Sequence, residues 1–178
     1  MKKKNLNKVK KTSIKDQIKE LGTTASDIWT ETINKKTGIY FGERNAEGAP
    51  HGGGSINWEN EDWTFTYLGK FNNGKFEGKG ILNKVSKKNK DISYTYGGEF
   101  LNDKIKKGTC SFLFKEKIQA LYEGNFKNNE CHGDGYIAIN TDNKKVNIED
   151  IKKIKCKFIN GKPVNDIKLK NFFREIRL

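Results

Sequence analysis

The sequence is poor in the residues that carry most enzymatic chemistry. Its 178 residues include two histidines, three cysteines, one methionine and two prolines. Without a spare histidine, a Ser/His or Cys/His nucleophile system has no base. Cys110, Cys131 and Cys156 are odd in number and far apart, and no Cys-x-x-Cys pair occurs. Neither a zinc site nor a disulfide framework is expected. Idle reduced thiols fit a reducing, cytoplasmic compartment. No run approaches the roughly 20 apolar residues of a membrane-spanning helix. The lysine-rich start lacks the apolar stretch of a signal peptide. Lys2 stands where N-myristoylation needs glycine. Arginine is scarce as well: of 35 basic residues only Arg44, Arg174 and Arg177 are arginine. That counts against base and phosphate recognition, and nucleic acid is the least favoured partner.

Apolar residues are also few, at 34%, and charged residues reach 32%. A thick two-layer core is not expected. A thin sheet with much solvated surface fits better. The 11 Phe, 6 Tyr and 3 Trp argue that the chain folds. The net charge of +13 is unevenly placed. Residues 1–20 hold 8 lysines against 2 acids, and residues 151–178 hold 9 basic residues against 2 acids. The stretch between them balances 18 basic with 18 acidic residues. The excess sits at the two ends and the middle is electroneutral.

That middle is repetitive. Tyr67, Gly69 and Phe71 recur as Tyr96, Gly98 and Phe100, and again as Tyr122, Gly124 and Phe126. Tyr40, Gly42 and Arg44 form an earlier copy, and Ile154, Cys156 and Phe158 a decayed later one. After four of these units come Asn73-Gly74, Asn102-Asp103, Asn128-Asn129 and Asn160-Gly161. Such residues accept positive φ, which a two-residue type I′ hairpin turn requires at both positions. Each unit reads as strand, tight turn, strand. Residues two apart share one face of a strand, so each Tyr-x-Gly-x-Phe lays two rings on one face with a gap between them. A ring from the adjoining hairpin is expected over that gap. Single hairpins are marginal, whereas stacked ones bury a shared aromatic stripe.

The pattern Tyr-x-Gly-x-Phe-x-x-Gly-x-x-x-Gly-x-Gly resembles the MORN repeat (membrane occupation and recognition nexus). Residues 67–80 match it at every defining position, and residues 122–135 depart only at Asn129. Residues 96–109 depart at Asp103, Lys107 and Thr109, and residues 40–54 carry an insertion at the turn, Asn45-Ala46-Glu47-Gly48. The resemblance covers roughly residues 39–162. It implies a mainly β protein: a single-layer antiparallel sheet of stacked β-hairpins. Short N- and C-terminal helical segments are expected as caps from the helical spacing of Ile14, Ile18 and Leu21 and of Leu169, Phe173 and Ile176. The expected organisation is a basic disordered arm over 1–12, a helix and capping hairpin over 13–38, the repeat array over 39–162, and a helical cap over 163–178. The extra residues at 83–90 and 140–149 are expected as protruding loops.

The resemblance further implies a non-enzymatic protein-binding or scaffolding module, with no cofactor, metal or small-molecule substrate. The candidate partner surface is Tyr67, Phe71, Tyr96, Phe100, Tyr122 and Phe126, provided that face is not already filled internally. The alternative is peripheral binding to anionic membrane surfaces through Lys2, Lys3, Lys4, Lys8, Lys10 and Lys11, at about 1 kcal/mol per lysine. His51 and His132 recur at one repeat-equivalent place before a glycine, which repeat structure explains without catalysis. Glu59, Glu61 and Asp62 read as a solvated loop cluster, and Trp29, Trp58 and Trp63 as packing residues of the first hairpins rather than a stacking platform for bases.

Overall fold

The computed structural model describes residues 28–31, 36–140 and 153–164. They form eleven strands: β1 (Ile28–Glu31), β2 (Lys36–Arg44), β3 (Pro50–Glu59), β4 (Trp63–Asn72), β5 (Lys75–Ser86), β6 (Ile92–Leu101), β7 (Lys104–Phe114), β8 (Lys117–Lys127), β9 (Glu130–Ile139), β10 (Ile154–Ile159) and β11 (Lys162–Pro163). All belong to one sheet whose spatial order is the chain order, β1 to β11. Every neighbouring pair is antiparallel. No helix occurs among the described residues. The expected basic arm, the N-terminal helix and residues 165–178 of the C-terminal cap lie outside them, as do residues 141–149 of the second expected loop and the six lysines from Lys2 to Lys11.

The turns form where sequence chemistry places them. Asn73-Gly74, Asn102-Asp103, Asn128-Asn129 and Asn160-Gly161 all have positive φ at both residues, between 47° and 83°. A fifth turn of this kind, Lys115-Glu116, joins β7 to β8 with φ of 50° and 62°. Neither lysine nor glutamate prefers that conformation. The register imposed by Leu113↔Ile118 and Phe114↔Lys117 on either side leaves only two residues to reverse the chain. The longer connection at 45–49 is closed by Asn45, whose Oδ1 accepts from the Ala49 N–H at 2.8 Å and whose carbonyl accepts from Gly48 at 2.9 Å.

Successive turns are tied to one another. The Asp103 N–H donates to the Phe76 carbonyl at 3.2 Å, and the Phe76 N–H donates back to Asp103 Oδ1 at 2.9 Å. Asn129 Oδ1 likewise accepts from the Ile105 N–H at 3.0 Å. Where the turn carries glycine, that residue keeps only the backbone link: Gly74 to the Pro50 carbonyl at 2.8 Å, and Gly161 to Cys131 at 2.9 Å. The Asp and Asn that depart from the repeat's glycine therefore add a side-chain tie to the preceding hairpin.

Three sequence expectations are corrected. Residues 83–86 are strand and not loop, since Asn83, Lys84 and Val85 pair with Thr95, Tyr94 and Ser93. Lengthening both strands together pairs their backbone groups, which a protruding loop would leave to solvent. The stretch 34–38 reads in the sequence as the turn of the capping hairpin, but Gly38 lies within β2, opposite Trp29. Pro163, assigned to the helical cap, lies in β11 opposite Phe158.

The core lies on one face. Cross-strand pairing runs a row of glycines through eight strands: Gly42, Gly54, Gly69, Gly80, Gly98, Gly108, Gly124 and Gly135, ending at Cys156. Flanking that row on the same face are the buried Tyr40, Tyr67, Phe71, Phe76, Phe100, Tyr122, Phe126 and Phe158. In three units the ring over the gap comes from the unit's own tyrosine and not from the adjoining hairpin. Tyr67 covers Gly69 and Gly80, Tyr122 covers Gly124 and Gly135, and Tyr40 covers Gly42 and Gly54. Each hydroxyl then donates to the carbonyl three residues on: Tyr40 to Glu43 at 2.6 Å, Tyr67 to Lys70 at 3.0 Å, Tyr122 to Asn125 at 2.9 Å. These carbonyls stand where the ladder register shifts. The repeating tyrosine thus fills the gap and satisfies the irregular backbone together.

Candidate functional site

The two faces of the sheet offer different chemistry. On the inner face, Tyr67 is 0% exposed, and Phe71, Phe100, Tyr122 and Phe126 are buried beside it. Their rings tile one another: Tyr67 stacks on Phe76 at 3.7 Å between centroids and meets Phe71 and Phe100 edge-on at 5.2 Å. Tyr122 meets Phe126 at 5.3 Å and Phe158 at 4.9 Å. Five of the six candidate partner residues are therefore core. That face is filled internally, so their rings have no area left for a partner.

Tyr96 differs. It is half-buried, and its ring lies 5.8 Å from the Lys84 ammonium instead of over the glycine pair of its own unit. Cys110 stands opposite it across the ladder, and the Phe126 ring lies 6.3 Å away. Burial pushes the Tyr96 hydroxyl well above its ordinary range, and pushes the Cys110 thiol up to about 11. That thiol is not a nucleophile at neutral pH. Ile92, Phe112 and Ala120 form a smaller buried cluster here, with Trp63, Tyr94 and Phe114 partly buried against it.

The outer face carries a second row across the same strands: Phe41, Ser55, Leu68, Ile81, Gly97, Thr109, Glu123, Tyr136 and Lys155, each paired with the next. Phe41 is 58% exposed, Leu68 59% and Ile81 45%. Beside Leu68 and Ile81 lies a shallow depression rimmed by Lys79, Glu99 and Lys107. Sequence reading passed over these residues, because the Tyr-x-Gly-x-Phe pattern draws the eye to the face it fills. The signal was present as the apolar residues between those positions.

Five of the remaining candidates, His132, Trp58, Trp63, Glu59 and Asp62, make structural contacts. His132 Nδ1 accepts from the Asn160 N–H at 3.4 Å, joining consecutive units. Trp58 is buried and stacks on Phe65 at 4.9 Å, while Trp63 meets Tyr94 edge-on. Glu59 pairs with Lys87 at 3.2 Å and Asp62 with Lys88 at 2.7 Å. These acids tie the β3–β4 connection to the β5–β6 connection. Among the described residues no three His, Cys, Asp or Glu side chains group as metal ligands, and no helix is long and apolar enough to cross a membrane. Compared with protein-family models and with curated proteins, the chain matches none.

Proposed function

We propose that this chain is a non-enzymatic, MORN-like protein-binding or scaffolding module that engages its partner through the outer face of the sheet. One observation carries the reading: Phe41, Leu68 and Ile81 stay exposed within a single cross-strand row, while the aromatic stripe on the other face is consumed as core. Adjacent exposed apolar side chains on a rigid sheet are the usual mark of a protein interface. The depression beside them sets the partner's chemistry. Lys79 and Lys107 flank Glu99 across the strands. A partner segment with an apolar side chain next to an acidic one complements both parts.

The test compares intact protein with a triple variant, Phe41→Ser, Leu68→Ser and Ile81→Ser. Partners are captured from host lysate and crosslinked. The same prey must be lost from the variant, and its crosslinks in the intact chain must map to this row. Exposed substitutions of this kind leave stability within about 0.5 kcal/mol per site, so the variant stays folded. Capture that survives the variant refutes the outer face. Vesicle binding that survives it but is lost on deleting residues 1–12 favours the anionic membrane instead.

A further inference from the structure

Lys84 breaks the pattern of its strand. The inner-face positions of β5 run Phe76, Gly80, Leu82, Lys84 and Ser86, so a charge occupies a core position. Its cross-strand neighbours are Phe65 and Tyr94. The ammonium lies 4.4 Å from the Tyr94 ring centroid, 4.6 Å from Trp63 and 5.8 Å from Tyr96. Among the described residues its charge meets no carboxylate; the ion pairs there belong to Lys87, Lys88 and Lys153. Burial pulls its pKa down, and the rings are what holds the cation in place. Leucine or methionine would pack the same position without a desolvated charge. Local rules broken in this way are expected where function demands it.

The geometry points to a binding site at Lys84, Trp63, Tyr94 and Tyr96 for a carboxylate carried on an apolar, aromatic body. One ammonium balances one negative charge. The described residues contain one arginine, Arg44, and its guanidinium lies over Tyr40. A phosphate dianion would want the several converging donors that are missing around Lys84. The half-buried rings of Trp63, Tyr94 and Phe114 offer apolar walls for the rest of the ligand. Such a site, mostly apolar with one placed charge, has the usual composition of a ligand pocket. It lies on the opposite face from the partner row and stands independently of it.

The full-length chain is titrated with indole-3-acetate and with its neutral counterpart indole-3-acetamide. In parallel it is titrated with acetyl-Phe-Asp-amide and acetyl-Phe-Asn-amide. Binding is read from the NMR shifts of the Trp63 indole N–H and the Lys84 ε-methylene. Each acid is expected to saturate these signals and to bind at least about tenfold tighter than its amide, a preference that weakens with salt. Lys84→Gln erases the preference and Lys84→Arg keeps it. A tighter free acid marks a small ligand as the natural source, and a tighter peptide marks an acidic segment of a protein. Equal affinity for acid and amide overturns the proposal. So does a preference surviving in Lys84→Gln, or no saturable shift below about 10 mM. The acid-to-amide comparison on the unaltered chain decides even where a variant fails to fold.

Discussion

Alanine at Gly80 puts a methyl group where the Tyr67 ring lies. The added Cβ would stand 2.6 Å from both Cε2 and Cζ of that ring, against the 3.4 Å at which ordinary contact begins. The ring cannot yield the missing distance. Phe76 stacks on it at 3.7 Å, Phe71 and Phe100 hold its edges, and its hydroxyl is bound to the Lys70 carbonyl at 3.0 Å. Gly80 has no positive φ, so the cost is steric and not conformational. Overpacking of a tight core costs about 1–3 kcal/mol. Several rings must shift here together, which puts Gly80→Ala at roughly 2–3 kcal/mol by urea denaturation. Gly97→Ala is the control. It lies on the outer face beside Ile81, and its nearest neighbour would be Thr109 Oγ1 at 3.5 Å. Its expected change is within about 0.5 kcal/mol. Tyr67→Phe removes the atom closest to the new methyl, so Gly80→Ala should cost about 1 kcal/mol less in that background. Equal midpoints for Gly80→Ala and Gly97→Ala would refute the pinned ring.

Other consequences can be measured directly. Asp103→Gly keeps the turn's positive φ but loses the bond to the Phe76 N–H, and should cost about 1 kcal/mol by denaturant titration; Asn129→Gly, which releases the Ile105 N–H, should behave alike. Lys84→Met removes a desolvated charge and is expected to stabilise by about 1 kcal/mol, the opposite of an ordinary core substitution; a lower thermal midpoint would contradict it. Burial raises Tyr122 from 10.0 to about 12 and Cys110 from 9.0 to about 11. Both groups keep their protons longer in the folded chain, so their contribution is complete below pH 9 and is lost as pH climbs from 9 to 12. Thermal midpoints should fall across that window, and Tyr122→Phe should flatten the upper part of the fall.

The hairpins were legible because each side of the turn repeats a chemical requirement. Asn-Gly and Asn-Asn pairs announce positive φ, and alternating Tyr, Gly and Phe announces one buried face. Lys115-Glu116 was not legible, because its conformation comes from strand register and not from residue preference. Ring placement was read one hairpin away from its true position. Spacing says that Tyr67 and Gly69 share a face, but not that the tyrosine folds back along its own strand to reach a carbonyl at a register shift. Residues 83–86 looked like loop because Asn, Lys and Ser dominate them, yet Lys84 points among aromatics on paired strands. The same disguise hid the carboxylate site. The exposed outer row was hidden differently: Leu68 and Ile81 sit between the pattern's defining positions, where the repeat leaves the residue free to vary.

The strictly sequential strand order has a mechanical consequence. The first and last strands occupy opposite edges of the sheet, and each strand is bonded only to its chain neighbours. A pull on the two ends loads one ladder at its outermost hydrogen bonds, which part in turn instead of shearing together. Such a sheet unzips hairpin by hairpin at low force, and the turn-to-turn ties at Asp103 and Asn129 set where it pauses. Held between two anchors, it would serve as an extensible strap, lengthening in steps of one repeat while the remaining repeats keep their fold.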